Sequence, residues 1–196
     1  MKEPLDARAL DQVFRTARTF PRFTDRPVTD ETLKEVYALM KWGPTALNAQ
    51  PARFVFLRTP QARARLIPTL MEGNIAKVQS APVTVIVATD TRFFDRLPTL
   101  FPAYDARPDF LANSAMAERT RFRNGCLQGG YLIVAARMMG LDCGPMSGFD
   151  PAKLDAEFFP DGAWKSNFLV SLGYGDPDSP YPRGPRLDLS EAAQFL

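Results

Sequence analysis

The chain has 196 residues, of which 45% are hydrophobic and 23% are charged. This composition is typical of a globular protein, and we predict one domain over 1–196 whose core needs neither disulfides nor metal ions. The formal net charge is +2 and the arginines are spread along the chain, which argues against a nucleic-acid partner. Histidine is absent, and the two cysteines, Cys126 and Cys143, are too few for a disulfide framework or a zinc site. We therefore expect no metal, and we expect the chemistry to depend on a borrowed cofactor.

No stretch of the sequence approaches the ~18 uninterrupted apolar residues of a membrane span. The first six residues contain no apolar core of the kind found in a secretory signal peptide. The low number of cysteines also suits a reducing compartment. We therefore expect a cytoplasmic protein with no membrane partner.

The first half of the chain shows alternating helical and strand patterns. In chain order, the predicted elements are helix 6–17, helix 30–40, strand 53–57, helix 61–70, helix 71–80 and strand 82–88. Thr29 has the character of an N-cap, and Asp30 and Glu31 follow it in the first helical turn. The segment 82–88 is a nearly continuous apolar run, which indicates a central strand covered on both faces.

The second half begins with a segment, 89–113, in which aromatic residues are interrupted by prolines. We predict a long, lid-like aromatic loop, with a poorly ordered insertion as an equal alternative. The longest predicted helix, 114–139, follows, and the apolar character of its second half indicates burial. Its glycines Gly125, Gly129 and Gly130 favour close packing against a second subunit. The remaining predicted elements are a helix 152–157, a strand 167–175 and a capped turn near Ser190 in a proline-rich tail.

A glycine-containing loop, 140–150, connects the long helix to the short helix after it. Gly144 and Gly148 permit a positive φ or the close approach of a flat partner, and they leave peptide N–H groups uncovered. Asp150 precedes Pro151 in the arrangement typical of an N-cap and a first helical residue. The loop therefore offers backbone donors to a ligand, although an ordinary connection between helices explains the same residues.

Four further groups of polar residues are candidates for binding. They are Arg18 and Thr19 with Arg22, the turn 44–51, Asn74 with Lys77, and Arg186 near the C-terminus. Each has a simpler explanation when it is taken alone: a solvated charge run, a turn, an exposed helix face and a surface arginine.

Taken together in this order, these segments resemble the flavin-dependent nitroreductase family over nearly the whole chain. The resemblance is carried by 17–23, 43–51, 74–77, 145–150 and 186–191. The sequence departs from the family pattern at Ala17 and Pro21, where relatives have basic residues, and at Ser147, where some relatives have Glu.

The resemblance implies an α+β nitroreductase-like fold, with a mixed central sheet wrapped by helices and an interlocked homodimer. It also implies FMN at the subunit interface and NADPH or NADH as the electron donor, with no catalytic side chain because FMN carries the hydride. In this picture Arg18 and Arg186 bind the phosphate, Lys77 stabilises charge on the reduced ring, and the partner contributes the turn Pro44 to Asn48. The implied FMN contacts are Arg18, Thr19, Arg22, Pro44, Thr45, Ala46, Asn48, Asn74, Lys77, Pro145, Met146, Ser147, Gly148 and Arg186.

Within the family, the runs 39–45, 122–124 and 144–150 are most similar to the malonic-semialdehyde reductases of uracil breakdown. This similarity implies a ping-pong reduction of malonic semialdehyde to 3-hydroxypropionate, with Arg107 or Arg123 meeting the substrate carboxylate. Two alternatives remain open: a broad-specificity nitro or quinone reductase, and a non-catalytic protein that binds flavin or another ligand.

Overall fold

A single four-stranded sheet organises the computed structural model, which describes residues 3–196. Its strands are β1 (Ala52–Leu57), β2 (Val83–Asp90), β3 (Asp142–Met146) and β4 (Trp164–Gly173), in the spatial order β1-β2-β4-β3. All three neighbouring strand pairs are antiparallel, so the strands form an antiparallel sheet where a mixed sheet was expected. The parallel pairing in the described part of the chain is an isolated bridge between Thr19 and Cys143.

The predicted central strand is confirmed, because β2 is buried from Val83 to Thr89 and pairs with both β1 and β4. The strand predicted over 167–175 begins earlier, at Trp164. Strand β3 lies where a loop was predicted, because its glycine and proline weaken the strand signal in the sequence. Pairing with β4 holds this segment extended in spite of its low strand propensity.

Helices cover both faces of the sheet. The helices of the described chain are α1 (Ala7–Leu10), α2 (Asp30–Met40), α3 (Pro60–Leu66), α4 (Glu72–Ser80), α5 (Leu97–Leu100), α6 (Arg107–Ala112), α7 (Ser114–Met138), α8 (Pro151–Phe158) and α9 (Leu189–Ala192). The predicted first helix is shorter than expected, because a π-helical turn, Asp11–Arg15, follows α1. The predicted N-caps of α2 and α8 are confirmed: Thr29 accepts from the Thr32 amide, and Asp150 accepts from two amides of α8. No helix in the described part of the chain is both long and apolar enough to cross a bilayer.

The strand alternation of β2 divides the core into two layers. On one face, Val85 packs with Val36 of α2 and Leu132 of α7, and all three side chains are fully buried. On the other face, Ile86 packs with Leu66 of α3, and the same layer includes residues of α4 and α8. Because each helix layer buries one face of the sheet, the predicted α+β class is confirmed.

The segment 89–113 is folded, and the lid-like loop predicted there is wrong. It contains a 3₁₀ turn, Phe93–Arg96, followed by α5 and α6. The rings of Phe93 and Phe110 lie 5.1 Å apart in a buried aromatic cluster. Two of the prolines that indicated a loop, Pro98 and Pro108, occupy the first turns of α5 and α6, where the missing N–H has no helical acceptor. Pro102 lies in the turn between these helices.

The glycines of α7 pack mainly against the chain's own sheet. Gly129 lies against the ring of Phe168, and Gly125 lies against Thr89. Only Gly130, of the three predicted to meet a second subunit, is exposed with open space beside it. The absence of a side chain at Gly129 therefore sets how closely the longest helix approaches β4.

We predict that Gly129→Ala lowers the free energy of unfolding by about 1–3 kcal/mol, because the new methyl group would overlap the Phe168 ring. The matched control is Gly73→Ala in α4, where an added methyl group meets nothing within 4 Å. That substitution should leave stability unchanged or raise it by up to about 1 kcal/mol, since alanine has the higher helix propensity. Urea denaturation of both variants at one protein concentration measures the difference. Equal stability of the two variants would contradict this packing argument.

Candidate functional site

A cavity of about 590 Å³ forms where the N-terminal segment, the C-terminal tail, α4 and α7 meet. Its lining includes six cationic side chains, and we name it the basic cavity: Arg15, Arg18, Lys77, Arg137, Arg183 and Arg186. No carboxylate side chain lines it in the described part of the chain. The cavity therefore concentrates positive charge that acidic neighbours in its wall do not neutralise.

Hydrogen bonds between the N-terminal segment and the tail hold this cavity together. The Arg18 guanidinium donates to the Tyr181 carbonyl, and Arg183 Nη2 donates to the Ala17 carbonyl at 2.9 Å. Arg186 Nη1 donates to the carbonyl of Gly184, within the tail, at 3.0 Å. Since these acceptors are neutral carbonyls, the guanidinium groups are positioned while their charges stay available to an anion.

The N-terminal segment is in turn fixed to the sheet edge. The Phe20 amide donates to the Cys143 carbonyl of β3 at 3.3 Å, and the Thr24 amide donates to the Tyr174 carbonyl at 2.8 Å. The bridge between Thr19 and Cys143 places the Thr19 hydroxyl in the cavity wall beside Arg18. Burial raises the pKa of Cys143 to about 12, so its thiol stays protonated and serves packing here.

Lys77 enters the basic cavity from α4. It forms no ion pair in the described part of the chain, and burial lowers its pKa below the ordinary lysine value. A Cβ atom on Gly144 would lie 2.9 Å from Lys77 Cδ and 2.8 Å from the Phe20 carbonyl oxygen. The groups that approach Gly144 belong to the chain itself, whereas the sequence predicted a positive φ or the approach of a flat partner. Gly144 thus allows Lys77 to lie across β3 and direct its ammonium group toward the cavity.

Asn74 lies one turn before Lys77 on α4 and contacts the segment after β3. Its Nδ2 donates to the Gly148 carbonyl at 2.9 Å, and a Cβ on Gly148 would lie 2.6 Å from that nitrogen. The Asn74 Oδ1 therefore remains able to accept from a ligand. Within residues 3–196, the amides of Ser147 and Gly148 donate no hydrogen bond to the chain, so they remain donors for a ligand. Pro145 and Met146 precede these amides at the end of β3.

The predicted turn from Pro44 to Asn48 lies outside the basic cavity of the same chain. Hydrogen bonds to α5 and α7 hold this turn in place. Asn48 Nδ2 donates to the Leu100 carbonyl, and the Ala46 amide donates to Asn124 Oδ1. Thr45 Oγ1 accepts from the Gln50 amide. Leu47 has φ 53° and Asn48 has φ 48°, in the left-handed region, so this turn has an unusual and well-bonded backbone.

Three predicted arginines also lie elsewhere. Arg22 forms an ion pair with Asp176 at 3.2 Å and does not line the basic cavity, so a direct phosphate contact from Arg22 has no support in this geometry. Arg107 pairs with Asp105 at 2.7 Å. Arg123 is exposed on α7 and makes no ion pair in the described part of the chain.

Three arginines of the cavity were not predicted from the sequence. Arg15 and Arg183 look like ordinary surface residues in the sequence, because nothing local indicates that the two chain ends meet. Arg137 carried a usable signal, since it is a single cation in the otherwise small and apolar second half of α7. A charge at such a position needs a partner, which is reason enough to consider it for a site.

The described geometry is suited to a ligand with an anionic end and a flat polar end. Arg18, Thr19 and Arg186 can donate to a phosphate or carboxylate group. Asn74 and the amides of Ser147 and Gly148 can bond the edge of a planar ring, and Lys77 can stabilise negative charge that develops on it.

Comparison with known proteins gives consistent results. The Nitroreductase family profile matches residues 14–174. A Xanthomonas oryzae pv. oryzae (strain PXO99A) protein is 57% identical over 195 residues, covering 100% of both chains, and a Burkholderia lata protein is 57% identical over 187 residues, covering 95% of this chain and 96% of its own. Both carry the provisional name NADH dehydrogenase/NAD(P)H nitroreductase.

The fold agrees with that assignment. A provisionally named nitroreductase from Exiguobacterium sibiricum 255-15, solved in complex with FMN, superposes with a TM-score of 0.84 at 18% identity, covering 100% of this chain and 99% of its own. At this level of identity the likeness supports the fold, while the profile match and the full-length relatives establish the family. The chain belongs to the nitroreductase family.

Proposed function

We propose that the chain is an FMN-dependent NAD(P)H oxidoreductase that works by a ping-pong mechanism. The observation that carries this proposal is the basic cavity, which gathers six cations including Lys77, while Asn74 on the same helix bonds the Gly148 carbonyl after β3. The provisional names of full-length relatives, which mention NADH and NAD(P)H, support the electron donor. The FMN complex of the structural neighbour supports the cofactor.

The residues of the cavity fit FMN in charge and in arrangement. Arg18, Thr19 and Arg186 would hold the phosphate, because a buried phosphate needs charge-assisted donors. Asn74 and the Gly148 amide would hold the ring edge, with Lys77 beside it. When bound, FMN supplies hydride transfer from NAD(P)H to an acceptor. Because the chain contains no histidine, water or a tyrosine would supply the proton that the reduced acceptor needs.

We also propose a homodimer in which the partner's turn 44–48 completes the site. This turn lies outside the basic cavity of its own chain, although the family resemblance assigns it to FMN. Large apolar side chains are exposed near it and on α7, including Trp42 at 81% and Phe122 at 54%. Burial of such side chains against a second copy would remove an apolar surface that monomers rarely expose.

For the acceptor we propose malonic semialdehyde, which would be reduced to 3-hydroxypropionate. Its carboxylate needs a cation, and Arg123 is the better candidate because Arg107 is already bonded to Asp105 through two nitrogen atoms. The names of the relatives favour a second candidate, a broad-specificity nitro or quinone reductase. A non-catalytic flavin-binding protein is the third, and it would bind FMN without accepting electrons from NAD(P)H.

The first prediction from this proposal concerns the purified protein. We expect a dimer that takes up FMN stoichiometrically and whose visible flavin band bleaches under anaerobic conditions when NADPH or NADH is added. Absorbance spectroscopy and size-exclusion chromatography measure both properties. A protein that takes up no FMN would contradict the proposed cofactor, and one that binds FMN but does not bleach would favour the non-catalytic alternative.

A second prediction concerns Lys77. Replacing it in Lys77→Met keeps an unbranched stem across Gly144 but removes the positive charge, so the reduced, more negative flavin should lose stabilisation. A charged contact worth about 1.5–3 kcal/mol corresponds to a midpoint potential lower by about 30–60 mV. Potentiometric titration of the FMN-loaded protein measures the change, and Lys77→Arg is the charge-retaining control. An unchanged potential in Lys77→Met would refute this role.

A third prediction separates the acceptors. We expect Arg123→Gln to raise KM for malonic semialdehyde by about tenfold, because one charge-assisted contact to the carboxylate is lost. KM for an uncharged quinone should stay the same, and Arg107→Gln serves as the matched control. Steady-state kinetics with both acceptors give the comparison. A wild-type protein with the higher kcat/KM for the quinone would favour the broad-specificity reductase, and equal changes for both acceptors would remove Arg123 from substrate recognition.

A further inference from the structure

Arg137 is the cation of the basic cavity that comes from the long helix, and it is held there firmly. It lies in the last turn of α7, and its Nη1 donates to the Val13 carbonyl at 3.0 Å. Its own carbonyl accepts from Gln12 Nε2 at 2.7 Å, so the same residue is anchored at both its backbone and its side chain. The guanidinium therefore has a fixed position at the cavity wall before any ligand binds.

The hydrogen-bonding capacity of this guanidinium is only partly used. Arg137 Nε is buried and has no hydrogen-bond partner in the described part of the chain. Arg137 also forms no ion pair with any described carboxylate. Asp142 lies within electrostatic influence of it, but the Asp142 Oδ2 accepts from the Gly175 amide at 2.8 Å. A partly buried cation without a counter-ion is costly, and an anion that enters the cavity would offset that cost.

The other walls of the cavity supply little positive charge that is both fixed in position and sheltered from water. The N-terminal segment presents Ala17 and Pro21 to the cavity, and neither carries a charge. Arg15 lines the cavity too, but its side chain is 61% exposed and pairs with Asp11. Arg183 is exposed and bonded to the Ala17 carbonyl. Arg137 is therefore the additional cation that is both preorganised and sheltered from water.

We propose that Arg137 is a ligand for a phosphate monoester in the basic cavity, and that this group is the phosphate end of FMN. The inference rests on the proposed function, and it adds to Arg18 and Arg186 a third arginine that comes from a different element of the fold. In this arrangement α7 supplies charge that the N-terminal segment lacks at Ala17 and Pro21. A phosphate monoester has enough oxygen acceptors to bond several arginines at once.

The test compares two flavins that differ only in the phosphate group. Fluorescence titrations of the apo-protein with FMN and with riboflavin give two dissociation constants. The ratio of Kd for riboflavin to Kd for FMN measures the contribution of the phosphate. In Arg137→Gln, we expect Kd for FMN to rise at least about tenfold while Kd for riboflavin stays within about twofold. Arg65→Gln is the matched control, because Arg65 pairs with Glu157 on α8 and lies outside the basic cavity; both constants should be unchanged.

Two results would overturn the inference: a wild-type Kd ratio in Arg137→Gln, or equal losses of FMN and riboflavin, which would indicate a structural role. If Arg137→Gln does not fold, Arg137→Lys provides the test. Lysine keeps the charge but lacks the planar guanidinium whose separate nitrogen atoms can bond Val13 and a phosphate together. In Arg137→Lys, the ratio of Kd for riboflavin to Kd for FMN should fall at least about threefold, and an unchanged ratio would overturn the inference. A wild-type protein that binds neither flavin would remove the proposed function as well, whereas a wild-type preference for FMN that survives in the variants removes the role of Arg137 alone.

Discussion

The meeting of the two chain ends over the edge of the sheet is the constraint on which the basic cavity depends. Arg18 and Arg183 donate to backbone carbonyls across the contact between the N-terminal segment and the tail. Carbonyl acceptors position a guanidinium without neutralising it, whereas a carboxylate would do both. The same bonds that join the ends therefore also leave the cavity positive. An anion bound in the cavity would offset the mutual repulsion of the cations that folding brings together, and it would thereby stabilise the folded chain.

The positions of Lys77 and Asn74 depend on the close approach of their side chains to the backbone at two glycines. Gly144 leaves room for the stem of Lys77, and Gly148 leaves room for the amide of Asn74. Neither glycine has a positive φ, so their value lies in the missing side chain and not in an unusual backbone conformation. Helix α4 is bonded through Asn74 to the segment after β3, and that segment carries the free peptide N–H groups of Ser147 and Gly148.

Local features of the sequence predicted local features of the structure well. Thr29 and Asp150 cap their helices as expected, and the apolar run 82–88 is the buried centre of the sheet. The failures came from tertiary contacts that override local propensity. Strand β3 forms in spite of its glycine and proline because β4 pairs with it. Pro98 and Pro108 lie in short helices of a segment whose buried aromatic rings pack together. Family resemblance located Lys77 and Arg186, whereas Arg137, a single cation in an apolar half-helix, could be assigned to the cavity only from the folded structure.

Ala17 and Arg137 both line the basic cavity, but only the residue from α7 brings a charge to it. A phosphate responds to the positive charge and the donors around it, and it does not distinguish which element supplies them. The N-terminal segment lies against β3 through backbone bonds, so its place in the fold does not depend on the side chains at Ala17 and Pro21. A cation at the end of α7 faces the same cavity and is already fixed by Val13. The cations of the cavity therefore come from several elements of the fold, and the N-terminal segment alone shows only part of the positive charge that the folded chain brings together.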